Sequence, residues 1–377
     1  MKVGLVSFHS FANPGGVKSH ITGLSEEFTK RGIENKILVP RRKLFENYGS
    51  NVIILGTSIP VNIAGTQGDI CFNFNPFAID KVLKREKFDV LHFHNFIVPS
   101  GWQILDKSKS VNILTFHANL DALSGFVKNF YLSNKFFEDI GKKMDGIIGV
   151  APLNLEPFKN CDTPKAIIPN GINLKDFAPN MPKIKKFADN KKINILFLGR
   201  IEERKGLIFL LQAYKILKPK YKNIRLIIVG DGTLKKDCIN YTKKNRLKEV
   251  YFEGKKPGIA AARKYYATCD IYCSPAIFGE SFGIVLLEAM ACGKPVCGFK
   301  NLGYGQLLKG TMGERFLAEP ENVEDLASKL EILIRNEKLR QDLAQWGIEE
   351  VKKYDWKNVA DQVLNFYEIC KKSKKEN

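Results

Sequence analysis

Short β-branched runs alternate with helical patterns along almost the whole chain, and near residue 193 the alternation begins again. In the first half the runs are VGLVSF (3–8), KILV (36–39), NVIIL (51–55), DVLHFH (89–94), VNILTF (111–116), GIIGV (146–150) and KAIIP (165–169). Runs apolar on both faces fit buried parallel strands, and the stretches between them, such as VKSHITGLSEEFTKRG, fit crossover helices. INILFLG (193–199) reads as a new first strand. It is followed by a helix at about 206–218, by IRLIIVG (224–230), VYFEG (250–254) and DIYCSP (270–275), by a helix at about 283–292, and by KPVCG (294–298). Two doubly wound α/β units in series are the natural reading. The join is expected within 169–192, where Pro169, Pro179 and Pro182, several Asn and a Lys run suit an exposed linker. The last segment has helical spacing of Val359, Val363, Phe366 and Ile369.

Ligands in such sheets bind beyond the carboxyl ends of the strands, so two units imply a cleft with chemistry placed just after strands. A length of 377 residues accommodates both units, and 44% apolar with 26% charged residues is ordinary for a globular chain. The formal charge of +19 biases the chain towards anions: nucleic acid, nucleotide phosphates or acidic lipid. The alternative source of that charge is Lys on solvated faces. Nucleic acid is disfavoured, because the charge is scattered Lys and no recognised nucleic-acid module is present. The eight cysteines contain no C-x-x-C pair and read as buried free thiols in a reducing compartment. No apolar stretch reaches the roughly 18 residues of a membrane span, and MKVGLVSF is too short for a secretory signal. The expected location is the cytoplasm, or the cytoplasmic face of a membrane as a peripheral protein.

Pro14-Gly15-Gly16, followed by His20, comes directly after the first strand, where glycines let backbone amides approach a phosphate at a helix start. The alternative is a simple turn, and a P-loop is excluded because no G-K-[ST] follows. All five histidines, His9, His20, His92, His94 and His117, lie in the first 117 residues. His92 and His94 share one strand face. A metal pair is conceivable there, but polar residues lining or satisfied inside the cleft read better. His117 ends VNILTF and is read as a substrate contact, against packing. In GRIEERKG, Arg200 and Lys205 stand beside a helix start and form a diphosphate trap, against a solvated charge run. In ESFGIVLLE, Phe282-Gly283 opens a helix whose free amides point into the cleft. Glu288 on its first turns can accept both ribose hydroxyls, and Glu280 can face a sugar hydroxyl.

These motifs, in this order, resemble the retaining family 4 glycosyltransferases of the GT-B fold, whose E-x(7)-E signature Glu280 and Glu288 fit. The resemblance also takes in TFH (115–117), IPNGIN (168–173), LIIVGDG and YDW (354–356), and is strongest for the phosphatidylinositol mannosyltransferases of the bacterial inner membrane. It implies two Rossmann-like domains facing each other across a cleft, at 1–169 and 170–356, with a helix at about 357–377 crossing back to the first. It assigns Gly15 and Gly16 to donor phosphate or acceptor, and His117 to the sugar. It gives Arg200 and Lys205 to the diphosphate and Glu280, with the amides of Phe282, Gly283 and Ile284, to the sugar. Glu288 takes the ribose, Gly230 joins the donor site, and His9 and His20 stand on the acceptor side. An acidic residue frequent in the family after the fifth-strand histidines is Asn95 here, which puts an acid function there in doubt.

The implied reaction moves a hexose, mannose as the best guess, from a nucleotide-diphosphate sugar such as GDP-mannose to a lipid such as phosphatidylinositol. The alternatives are glucose or N-acetylglucosamine from a UDP-sugar to a lipid or polysaccharide, and, further off, a sugar-nucleotide epimerase. Arg200, Lys205 and the helix start would stabilise the departing diphosphate, so no metal or other cofactor is expected. In the segment 75–89, Lys81, Lys84 and Arg85 fall on one helical stripe beside Phe77, Ala78, Val82 and Leu83. The resemblance places an interfacial basic helix at this point, which would bind an anionic membrane surface. The alternative is an ordinary crossover helix with a solvated basic face.

Overall fold

The structure is a computed structural model and describes residues 1–12, 15–43, 45–63, 66–73, 75–95, 99–119, 134–189, 191–256 and 258–376. Two compact units divide the chain: Met1–Gly171 with Trp356–Asn377, and Ile172–Asp355.

The first unit is built on an eight-stranded sheet. Its strands are β1 (Lys2–Ser7), β2 (Glu34–Arg41), β3 (Val52–Ile63), β4 (Thr66–Phe72), β5 (Val90–His94), β6 (Val111–Phe116), β7 (Gly146–Gly149) and β8 (Lys165–Ile167). Their order is β4-β3-β2-β1-β5-β6-β7-β8, and every pairing is parallel except the β3–β4 hairpin. The order reverses between β1 and β5, the kind of switch point at which such sheets bind ligands. Strand alternation sends Val3 and Leu5 into one core layer and Val6 and Phe8 into the other. That is why β5, β6 and β7 are buried on both faces. β4 was not anticipated: TQGDICF mixes polar and small residues and carries little strand signal of its own.

The helix Trp356–Glu376 belongs to this unit and buries Trp356, Val359, Val363, Phe366, Tyr367 and Cys370. Its spacing was anticipated except at Ile369, which is exposed while Cys370 packs inward. Trp356 is seated between two glycines. A Cβ on Gly23 would lie 2.2 Å from the indole and one on Gly171 2.4 Å from it. Any larger residue at either position would expel the ring.

The second unit has a six-stranded parallel sheet of β9 (Ile193–Leu198), β10 (Ile224–Val229), β11 (Val250–Gly254), β12 (Ile271–Ser274), β13 (Val296–Phe299) and β14 (Leu317–Ala318). Its order is β11-β10-β9-β12-β13-β14, with the reversal between β9 and β12. One apolar layer gathers Ile195, Phe197, Ile224, Leu226, Ile228, Ile271, Cys273, Cys297 and Phe299 against the helices Leu207–Leu217 and Val323–Arg335. The cysteines are free thiols, buried in every case but Cys161.

Candidate functional site

In the second unit the loops after β9 and β12 are locked together. A 3-10 turn at Glu203–Lys205 ends in Gly206, whose φ of +65° caps the helix Leu207–Leu217. A Cβ there would lie 2.0 Å from the Pro275 carbonyl oxygen, so only glycine allows this approach. The Ile277 amide donates to the Arg204 carbonyl at 2.9 Å across the same junction. The junction carries Lys205 and Arg204 onto Glu280: both donate to its Oε1, at 2.6 and 2.8 Å, with all three side chains 13% exposed. Burial alone would raise the Glu280 carboxyl, but the charges of Lys205 and Arg204 outweigh it and hold it below its ordinary value.

Gly283, at φ +109°, caps the helix Ile284–Ala291. Phe282 is buried, so its side chain serves the core. Glu288, on this helix, accepts from the Tyr266 hydroxyl at 2.8 Å. Burial lifts its carboxyl to about 7, against the downward pull of Tyr266 and Lys205. Arg200 pairs with Glu202 at 2.9 Å and keeps 44% of its side chain exposed. The structure therefore joins Lys205 to Glu280 and leaves Arg200 and Glu288 on partners of their own. Gly230, at φ +154°, has an internal reason to be glycine, since a Cβ would lie 1.8 Å from the Gly199 carbonyl oxygen.

In the first unit the helix Gly16–Lys30 starts from Gly15, which is extended and offers no side-chain cap. A Cβ on Gly15 or Gly16 would meet nothing within 4 Å among the described residues. Pro14 lies outside the described residues. The helix carries His20 to the ends of β5 and β6. His20 Nδ1 lies 2.8 Å from Asn170 Oδ1, and His94 Nδ1 lies 3.2 Å from His117 Nε2. His92 is fully engaged, with Nδ1 2.6 Å from the Tyr367 hydroxyl and Nε2 2.6 Å from the Thr115 hydroxyl. A His92–His94 metal pair is thus excluded, and His92 is a satisfied core residue. His9 is half-buried, and its carbonyl accepts from the Ser7 hydroxyl at 2.9 Å. Burial drives His92, His94 and His117 well below the usual imidazole value, and takes His20 to about 4. All four are neutral at pH 7. Asn95 ends β5 at φ +57°, a backbone that Asn tolerates, and its Oδ1 accepts the His117 amide at 2.8 Å.

The basic segment forms the helix Pro76–Glu86, capped by Asn75 and ended by left-handed Lys87. Lys81, Lys84 and Arg85 are exposed. The apolar side of the expected interface is smaller than the sequence suggests. Val82 is buried in the core with Ile79, and Ala78 and Leu83 pack against it, because a crossover helix must cover its sheet. Phe77 remains, 79% exposed.

The sequence pointed to the loop after β9 but passed over Arg204, hidden in an alternation of charges. Tyr266 carried no motif, and Asn170, inside IPNGIN, was given no role of its own.

Residues 180–350 match the family described as Glycosyl transferases group 1, and residues 14–176 match Glycosyltransferase Family 4. The chain is 31% identical to a phosphatidyl-myo-inositol mannosyltransferase of Mycobacterium leprae (strain TN), over 98% of this chain and 96% of that one. It is 30% identical to an uncharacterized glycosyltransferase of Methanocaldococcus jannaschii, over 98% of each. In fold it is similar to a sucrose-phosphate synthase from Thermosynechococcus elongatus, with a TM-score of 0.77, 19% identity and 99% of each chain covered.

Proposed function

Because this chain belongs to glycosyltransferase family 4, we propose that it transfers mannose from GDP-mannose to a membrane lipid such as phosphatidylinositol, with retention and without a metal at the diphosphate. The observation that carries the reading is the cluster of Arg204, Lys205 and Glu280 beside two glycine-capped helix starts. Positive charge and unpaired helix amides are what a departing diphosphate needs. The mannose and lipid assignments lean on the mannosyltransferase from M. leprae, which aligns end to end.

In the reaction the acceptor hydroxyl oxygen bonds to the anomeric carbon while the bond from that carbon to the β-phosphate oxygen breaks. The hydroxyl proton passes to the departing phosphate oxygen on the same face. Lys205 and Arg200 take up the charge released, and Arg204 keeps Glu280 ionised and oriented towards the sugar. Neutral His117 offers a hydrogen bond to the sugar. Glu288 holds the ribose hydroxyls and binds best as a carboxylate.

The peripheral membrane assignment rests on Lys81, Lys84, Arg85 and exposed Phe77; among the described residues no helix is long and apolar enough to cross a membrane. Each cation near an anionic surface contributes roughly 1 kcal/mol, so the attachment is weak and salt-sensitive.

The test is nucleotide release from GDP-mannose, UDP-glucose and UDP-N-acetylglucosamine, with and without phosphatidylinositol vesicles, and the anomeric configuration of the product by NMR. GDP-mannose turnover stimulated by the lipid, giving an α-linkage, is expected. Turnover of UDP-sugars alone would establish the alternative donor class. No turnover of any sugar nucleotide would refute the site.

A further inference from the structure

The first unit holds three histidines whose arrangement the transfer reaction does not require. One ring nitrogen from each of His20, His94 and His117 lies within 4.8 Å of the others. His20 is 2% exposed and its Nδ1 is held by Asn170 Oδ1, so the ring presents Nε2, which has no hydrogen-bond partner among the described residues. His94 is fully buried, with its Nδ1 on the His117 side. Buried polar atoms are normally paired, so the open Nε2 of His20 in this cluster requires an explanation. The 3.2 Å between His94 Nδ1 and His117 Nε2 fits a hydrogen bond between rings. It equally fits two nitrogens on one tetrahedral ion, which at a metal–nitrogen length of about 2.0–2.1 Å stand about 3.3 Å apart.

We propose that His20, His94 and His117 bind one transition-metal ion of the zinc class. Three imidazoles, with no carboxylate or thiolate joining them among the described residues, select Zn²⁺ and its first-row neighbours over Mg²⁺ and Ca²⁺, which need oxygen ligands. Three protein ligands leave a fourth position open to water or a hydroxyl. The Asn170 carboxamide oxygen plays the part usual beside metal-bound histidine: it accepts the hydrogen bond from the His20 Nδ1–H and fixes the tautomer. Ligation requires neutral rings, which this buried setting supplies. Closing the cluster takes a contraction of about 1.5 Å, within reach of ring rotation. His92 is not a ligand, since both its nitrogens are engaged. An ion here occupies the His117 ring, so it opposes sugar binding and acts as an inhibitor; that consequence alone rests on the function proposed above.

The test uses the full-length protein stripped of metal by chelation. Co²⁺ is added and followed by visible absorption, then displaced by Zn²⁺. Trp356, whose ring centroid is 5.1 Å from that of His20, gives an independent fluorescence signal. Saturation at one ion per chain is expected, with no response to Mg²⁺. His94→Gln should abolish binding, and Asn170→Ala should weaken it by about 10- to 100-fold with an unchanged circular dichroism spectrum. No stoichiometric binding by the wild-type protein overturns the site. So does undiminished binding in folded His94→Gln and His20→Gln chains. Donor turnover without metal binding defeats this inference and leaves the transferase reading standing; metal binding by a protein that shows no turnover even when metal-free does the reverse. Binding at saturation that leaves turnover unaltered overturns the inhibition.

Discussion

Replacing Glu288 by Gln should make the enzyme more stable and less able to bind its donor. The carboxyl titrates near 7 in the folded chain against an ordinary 4.5, because it is buried beside Tyr266 on the helix Ile284–Ala291. Between those two values the native state holds a proton that the unfolded state has released, so stability falls as pH rises through the window. The penalty is under about 1 kcal/mol at pH 5 and roughly 3 kcal/mol at pH 8, at 1.36 kcal/mol for each tenfold. Partial access to water trims the larger figure to about 2 kcal/mol. Gln keeps the oxygen that accepts from Tyr266 and never ionises, so it escapes the penalty. For a unit the size of Ile172–Asp355 the gain corresponds to roughly 4–8 °C at pH 8, and to little at pH 5. Thermal unfolding of wild type and Glu288→Gln at both pH values, without nucleotide, measures it. With Glu288 on the ribose as proposed, the same change would remove charged hydrogen bonds worth about 1.5–3 kcal/mol each and should weaken donor binding by roughly ten- to a hundredfold. An equal shift at both pH values, or a loss of stability at pH 8, would refute the argument that this carboxylate is ionised at the expense of the fold.

Lys205→Ala should lower transfer by about a hundredfold, or about 3 kcal/mol, while Arg204 still holds Glu280; near-normal rates in a folded mutant would remove Lys205 from the diphosphate site. Transfer should persist in excess EDTA, and a full loss restored by Mg²⁺ or Mn²⁺ would contradict the metal-free diphosphate site. Co-sedimentation with vesicles should rise with anionic lipid and fall with salt. The triple change of Lys81, Lys84 and Arg85 to Ser should reduce it, and equal sedimentation throughout would rule this helix out as the anchor. Gly206→Ala should destabilise the second unit and disperse the Glu280 cluster, because its Cβ would press on the Pro275 carbonyl; a fully active, equally stable variant would show that this junction yields.

The sheets were legible where strands are apolar on both faces, as in VNILTF and IRLIIV, since only a doubly covered strand needs that pattern. β4 and the two-residue β14 were not, because their pairing comes from neighbouring strands rather than from their own residues. The loops that bear Lys205 and Glu280, and the helix that bears Glu288, announced themselves through glycines at helix starts. Their partners did not: Tyr266 stands 22 residues from Glu288, and Asn170 stands 150 from His20. Nothing in a linear order of histidines distinguishes His92, saturated by Tyr367 and Thr115, from His94 two residues on, which keeps a buried nitrogen without a partner among the described residues.

Both ends of the chain belong to the same unit. β1 opens the first sheet, and Trp356 closes the slot made by Gly23 and Gly171. During synthesis the middle unit has all its residues before the first has its last helix. Until that helix emerges, the groove for Trp356 is an uncovered apolar face, and His92 lacks the Tyr367 hydroxyl. A ribosome stalled after the second unit would therefore display that unit with all its residues beside an unfinished first one. Emergence of the helix Trp356–Glu376 would be the step that completes the first unit.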